Sequence, residues 1–228
     1  MLVVALVGRG ACSSDGPATP GSDPVELAQA AAGGSETGPS ALDDPRDRRL
    51  PAPLIKPGEL LTGGPSPDGI PAIESPRFQR ARDVDWLAAT DPVLALTVAG
   101  ETRAYPIQIL TWHEIVNDTV GSVAGQVGGS VGGSVGGGVP VAVTYCPLCN
   151  SGLAFDRRAA GRVLTFGTSG KLYASNLVMY DRQTESLWPQ LTGQAALGVL
   201  TGSTLASFPL APVAWPRCSA SWPRGSRW

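Results

Sequence analysis

Two cysteines separated by two residues, Cys146-Pro147-Leu148-Cys149, carry the densest chemistry in a chain of 228 residues with four Cys and a single His. In an extended strand, residues i and i+3 point to opposite faces, so their sulfurs cannot act together. Pro147 changes that. Proline is favoured at the second position of a β-turn, which brings the first and fourth Cα atoms within about 7 Å. Sulfurs so placed can share a soft ion, close a disulfide or exchange electrons as a dithiol. The leading expectation is a copper or zinc site. The alternatives are a thiol-disulfide redox pair, with Cys146 and Cys149 as its catalytic residues, and a non-enzymatic surface domain with a structural disulfide.

His113, within Trp112-His113-Glu114, is the only imidazole in the chain. Its segment precedes the strand that ends in Cys146, so the expected ligand set is Cys146, Cys149 and His113. Met179 is a weak fourth candidate, although a core gap-filling role suits a methionine better. A closed structural zinc site normally takes four ligands. A set of three strong donors tilts the expectation toward copper or an open site.

The residues after the pair argue against a thioredoxin arrangement, in which a helix N-terminus lowers the thiol pKa. Here Asn150-Ser151-Gly152 leads into Leu153-Ala154-Phe155-Asp156, a strand pattern. Ser169, in Gly167-Thr168-Ser169-Gly170, does not form a nucleophile elbow. Glu114 and Asp118 stand four apart and are expected on the solvated face of a helix. No phosphate-binding glycine loop is present, so no nucleotide cofactor is expected. A net charge of −2 gives no electrostatic footprint for nucleic acid.

The elements that must position the cysteines are mostly strands. Residues 139–145 form an apolar β-type run leading into Cys146. Runs at 93–98 and 102–106, joined by Ala99-Gly100-Glu101, predict a hairpin. Residues 107–117 predict a short helix, with Pro106 at its start and Ile109, Trp112 and Val116 on one face. Further short runs fall at 152–156, 163–167, 177–181 and 186–190. The fold class expected is α+β, predominantly antiparallel β with one or two short helices.

Organisation along the chain follows composition. Residues 1–12, an apolar run ending at Ala11-Cys12, resemble the end of a lipoprotein signal with Cys12 as the lipidated residue. Residues 13–66 are a Pro/Gly/Ser-rich stretch expected to be a disordered linker. Residues 67–215 are the expected β-rich domain, interrupted by a low-complexity loop of Val-Gly-Gly-Ser units at 121–138. Residues 216–228 mix Trp and Arg without period and are expected to be an aberrant tail. No stretch reaches the roughly 20 apolar residues of a membrane-spanning helix. The expected location is extracytoplasmic, lipid-anchored through Cys12 or secreted, with any protein partner unidentified.

Several motifs occur together in order: Asp68-Gly69-Ile70-Pro71-Ala72-Ile73, Ala104-Tyr105-Pro106, Trp112-His113-Glu114-Ile115 with Asn117-Asp118, Thr144-Tyr145-Cys146-Pro147-Leu148-Cys149, and Leu177-Val178-Met179-Tyr180-Asp181-Arg182 with Thr184-Glu185-Ser186-Leu187-Trp188. Over residues 68–212 this resembles the bacterial and archaeal family known as domain of unknown function 3179. The resemblance implies no biochemical activity. It does imply export or lipid anchoring, which agrees with the N-terminal reading. The chain departs from the family pattern at the Val-Gly-Gly-Ser tract. It also ends where the family continues with further strands, which would leave a sheet edge open.

Overall fold

A strand whose residues are buried on both faces must lie in the middle of a stack, and the strand that ends in Cys146 does so. The computed structural model describes residues 3–7, 38–121 and 138–215. Along the chain these form β1 (Val3–Val7), β2 (Leu61–Thr62), β3 (Arg77–Arg80), β4 (Pro92–Val98), β5 (Glu101–Pro106), α1 (Ile107–His113), β6 (Ile115–Val120) and β7 (Val139–Cys146). There follow β8 (Ser151–Asp156), β9 (Arg158–Ala159), β10 (Arg162–Val163), β11 (Phe166–Tyr173), β12 (Asn176–Asp181), β13 (Leu187–Pro189), β14 (Ser207–Phe208) and β15 (Leu210–Ala214).

The strands build three main sheets and a small β9–β10 ribbon. The central sheet has the order β14-β8-β7-β6. One outer sheet runs β15-β4-β5-β1-β3 and the other β13-β12-β11-β2. Pairing is antiparallel except between β1 and β3. Side-chain alternation along β7 joins the layers. Val141, Val143 and Tyr145 enter a core with Leu94, Leu96 and Tyr105 of the first outer sheet. Ala142 and Cys146 face the other way, toward Phe166, Met179 and Trp188 of the second. Each Val, Leu or Phe so buried contributes about 1.5–3 kcal/mol, so both faces of the central sheet are strongly fixed.

The fold is therefore mainly β, and the α+β expectation holds only loosely: among the described residues the one α-helix has seven residues. It also ends sooner than expected. Glu114 adopts φ 55°, and the chain then enters β6, whose residues Ile115–Val120 pair with Thr144–Val139. β-Branched Ile115 and Val116 suit a strand once a partner is available. The expected apolar helix face is accordingly split: Val116 is buried in a strand, whereas Trp112 is 74% exposed on the helix.

Residues 38–66 are not the free linker expected. Ala41, Leu42, Leu50, Ile55 and Leu60 pack against Val178, Tyr180, Leu187, Ala196 and Leu197, covering the outer face of the β12–β13 sheet. The segment ends as β2, paired with β11. Its apolar residues are too sparse to show a period, yet each meets a sheet face that would otherwise be bare. Cys12, residues 13–37, most of the Val-Gly-Gly-Ser tract (122–137) and the 216–228 tail lie outside the described residues. The apolar run of the expected signal contributes β1, between β5 and β3.

Candidate thiol site

The Cys-Pro-Leu-Cys segment is the tip of the β7–β8 hairpin. Cys146 pairs with Ser151 across it, which leaves Pro147, Leu148, Cys149 and Asn150 as a four-residue loop. Loops of this length are usually built around a type I turn, which proline favours. Asn150 closes the loop at φ 51°, a conformation Asn tolerates better than most residues. Its side-chain oxygen accepts a hydrogen bond from Tyr145 Oη at 2.8 Å. The turn expected from Pro147 is formed, and strands flank it on both sides.

This geometry treats the two thiols differently. Cys146 is the last residue of β7 and is only 1% exposed, packed in the core with Ile115, Leu177 and Met179. Cys149 stands on the loop and is exposed. Both are free thiols. Cys149 Sγ lies 3.0 Å from Ser151 Oγ and receives a hydrogen bond from Asn176 Nδ2 at 3.1 Å. Asn176 comes from the start of β12, so a second sheet reaches across to the loop.

Gln190 completes the arrangement from just beyond β13. Its Oε1 accepts from Asn176 Nδ2 at 2.8 Å and from Ser151 Oγ at 3.0 Å. Its Nε2 donates to Thr144 Oγ1 at 2.9 Å and to Ser151 O at 3.3 Å. Gln190 is fully buried and uses both ends of its amide, as a buried polar group must. Ser151 has one hydroxyl proton and two acceptors within reach. With Cys149 protonated, the serine donates to Gln190 and accepts from the thiol. With Cys149 ionised, a rotation of the hydroxyl delivers that proton to the thiolate.

The electrostatics follow. Partial burial alone would push Cys149 up, but hydrogen bonds from Ser151, Cys146 and Asn176 outweigh it and hold the thiol below its ordinary range. Burial pushes the Cys146 thiol up, and its hydrogen bond with Cys149 pushes it further. The pair thus consists of an exposed sulfur whose ionisation its surroundings favour and a buried one whose ionisation they oppose.

The other expected ligands are elsewhere. His113 Nδ1 sits 2.7 Å from Pro71 O. Met179 is fully buried on β12 in the core. Among the described residues no three His, Cys, Asp or Glu side chains converge so as to hold a metal ion, so the expected Cys146–Cys149–His113 set is not assembled. Glu114 and Asp118 do not share a helix face either. Glu114 ends the helix, while Asp118, on β6, accepts from Arg103 Nη1 at 2.5 Å and from Tyr105 Oη at 2.7 Å. Ser169 is buried and donates to Val178 O, a structural role.

Other motif residues hold the frame. Asp181 is buried and accepts from Trp188 Nε1 at 2.9 Å and from the Thr184 amide at 2.7 Å, which shapes the β12–β13 turn. Arg182 bridges Asp68 at 2.8 Å and Glu74 at 2.6 Å, and Tyr180 Oη also donates to Asp68. These bonds clamp the 68–74 segment onto the sheet, and Gly167 leaves the room for it, since a Cβ there would collide with Asp68 Oδ1. Ser151, Asn176 and Gln190 were not singled out from the sequence. Their only signal is polarity at the ends of β-type runs, and Asn176 and Gln190 join the site only through the cross-sheet packing.

The family model described as "Protein of unknown function (DUF3179)" matches residues 67–128 and 130–226. No curated protein and no solved structure matches the chain.

Proposed function

We propose a function from the site alone, because the chain belongs to the DUF3179 family and that family carries no assigned activity: Cys146 and Cys149 are a thiol-disulfide exchange pair. The observation that carries this reading is the asymmetry of the two sulfurs, one exposed and held below its ordinary pKa, the other buried and held above it. The attacking species in exchange is the thiolate. The Cys149 thiolate attacks one sulfur of a partner disulfide; a Cys149–partner bond forms and the partner's other sulfur leaves as a thiolate. Cys146 then loses its proton and attacks Cys149. The intramolecular disulfide forms and the second partner sulfur leaves. The protein dithiol is oxidised by two electrons and the partner disulfide is reduced by two; the reverse sequence oxidises a dithiol partner.

The surroundings favour exchange over metal binding. Apart from the Cys146 thiol, the groups touching Cys149 are an amide and a hydroxyl, which soft ions do not prefer, and zinc would lack its remaining ligands. We place the activity outside the cytoplasm, on the resemblance of residues 1–12 to the end of a lipoprotein signal; cleavage before Cys12 would remove β1, so that the mature sheet would run β15-β4-β5 with β3 released from it. Fractionation of native cells, with the intact mass of the recovered protein, tests that placement: a protein found in the cytoplasm with its N-terminus uncleaved overturns it, and an exported protein without lipid on Cys12 overturns the anchor alone.

Exchange itself is tested in the full chain carrying Cys12→Ser and Cys218→Ser. The protein is equilibrated in glutathione buffers of graded potential, alkylated and weighed. The expected result is one two-electron transition joining Cys146 to Cys149, absent in Cys149→Ser. Thiols that remain reduced at every potential, or a disulfide that never opens, sink the reading.

A further inference from the structure

The exchange reading leaves one step without a partner: Cys146 must lose a proton in a place where water is scarce. A cavity of about 40 Å³ lies beneath the turn, lined by Glu114, Cys146, Leu148, Thr168, Lys171 and Leu177 among others. That volume holds a water molecule or two. Glu114 is bound to the motif strand through its backbone, since the Tyr145 amide donates to Glu114 O at 2.7 Å. Tyr145 is the residue immediately before Cys146.

Glu114 itself is unusual. It is a non-glycine residue at φ 55° and ψ −33°, and holding a residue in so sparsely populated a region costs of order 1–3 kcal/mol. No hydrogen bond to its carboxyl group is formed among the described residues. Burial alone pushes the carboxyl above its usual range. A carboxylate kept partly dry and unpaired, on a backbone that would be easier with glycine, is held there against a local cost.

We infer that Glu114 is the proton acceptor for Cys146, taking its proton through water in the cavity that both residues line, as Cys146 attacks the Cys149 mixed disulfide. The inference rests on the exchange reading above. In the step, the Cys146 S–H bond breaks and the proton passes to the Glu114 carboxylate. The freed electron pair forms the Cys146–Cys149 bond, and the Cys149–partner bond breaks with the partner leaving as a thiolate. Protonated Glu114 then returns its proton to solvent. In the reductive direction it hands the proton back to Cys146.

Among the described residues, the other charged or titratable groups facing this region are few. Lys171 lines the same cavity. His113, one residue before Glu114, is engaged with Pro71 O. Asp68, on the segment that packs nearby, is tied to Arg182. None of these bonds the Glu114 carboxyl.

The test uses dithiobis-nitrobenzoate on the full chain carrying Cys12→Ser and Cys218→Ser. Attack by Cys149 releases one coloured thiolate at a rate that depends on reagent concentration. Attack by Cys146 on the resulting mixed disulfide releases a second at a rate that does not. In the unsubstituted pair, the second rate is expected to rise with pH through an ionisation above the ordinary carboxylate range. Glu114→Gln should slow it by about 10²-fold at neutral pH, the low end of general base effects, and remove that inflection. Glu114→Asp should restore part of the rate. The first release should be unchanged in both variants.

A Glu114 acting only as a nearby negative charge gives the opposite sign: its removal favours the Cys146 thiolate and speeds the second release. A second release that is unchanged or faster in Glu114→Gln therefore overturns the inference while leaving exchange intact. No reagent-independent second release in the unsubstituted pair overturns exchange itself. The pH profile of the unsubstituted pair requires no variant to fold, and a profile with no carboxylate ionisation overturns the inference by itself.

Discussion

Two kinds of polar cluster lie about the central sheet, and they are built on different principles. Around Asp118 and Asp181 the buried groups are charged, and each is saturated: Asp118 by Arg103 and Tyr105, Asp181 by Trp188 and Thr184. Around Cys149 the groups are neutral, namely Ser151, Asn176 and Gln190, and one member of the network remains exposed. Saturated buried charge fixes geometry but has nothing left to offer a ligand. A neutral network ending at an accessible thiol keeps its reactive atom unspent. The motifs that run together in the sequence therefore divide into frame and chemistry, a division that substitutions should separate.

The largest effect is expected in the frame. Asp118→Ala leaves Arg103, 13% exposed, without its closer carboxylate, and frees Tyr105 Oη in the core. Removing one partner of a buried pair costs about 3–5 kcal/mol. Urea unfolding should show that loss as a lower midpoint. Below the transition, Cys149 should react with a thiol reagent at its unsubstituted rate. A parallel loss of thiol reactivity in the still-folded protein breaks the division.

Asn176→Ala comes next, with the balance reversed. It removes a donor to the Cys149 sulfur and one to Gln190 Oε1. A lost hydrogen bond of this kind costs about 0.5–1.5 kcal/mol, and the thiol moves back up toward its ordinary range. Thiolate population falls, although the less acidic sulfur is intrinsically more nucleophilic and recovers part of the rate. The net expectation at neutral pH is a reaction about three- to tenfold slower, converging on the unsubstituted rate in alkali where both are fully ionised. Stopped-flow alkylation across pH measures it. Ser151→Ala should act in the same direction and by a similar factor: Asn176 continues to donate, but the Ser151 hydroxyl, foremost among the hydrogen bonds that hold the thiol down, is lost. If Ser151→Ala alone abolishes reactivity, the serine is more than a donor.

How much of this was legible in the sequence depends on how local the cause is. The turn at Cys146–Cys149 is local: Pro147 sets it and the flanking β-type residues continue it. The strands were legible for the same reason, most clearly residues 139–145, whose apolar character on both faces reflects two packed layers. The region 107–117 misled because Ile109, Trp112 and Val116 keep helical spacing, while pairing of β6 with β7 draws Ile115 onward into the sheet. The segment 38–66 misled because its packing partners lie on β12 and beyond. Asn176 stands 27 residues from Cys149, and Gln190 stands 39 from Ser151. No spacing rule joins such residues. The expected ligand set is not assembled among the described residues for a like reason: His113 is close to the pair in chain order, but its ring is engaged with Pro71 O.

The smallest effect on stability is expected where frame and chemistry meet, at Glu114. Glu114→Gly relieves a positive φ that glycine adopts freely, against the extra entropy glycine carries in the unfolded chain. The balance is a gain of about 0.5–1 kcal/mol. A second contribution comes from the carboxyl group. Its folded pKa is raised by burial, so the stability linked to its protonation is complete below the unfolded pKa and is lost as pH rises through the folded one. Removing the carboxyl abolishes that loss. The advantage of Glu114→Gly over the unsubstituted protein should therefore be larger at neutral pH than below the ordinary carboxylate range, where only the backbone part remains. Urea midpoints at the two pH values measure both parts. The same variant should slow the reagent-independent second release as Glu114→Gln does, so that a more stable protein is a poorer exchanger. A variant that is both stabilised and equally fast would show the residue to be plain frame, and the line between the two kinds of cluster would then run between Glu114 and Cys146.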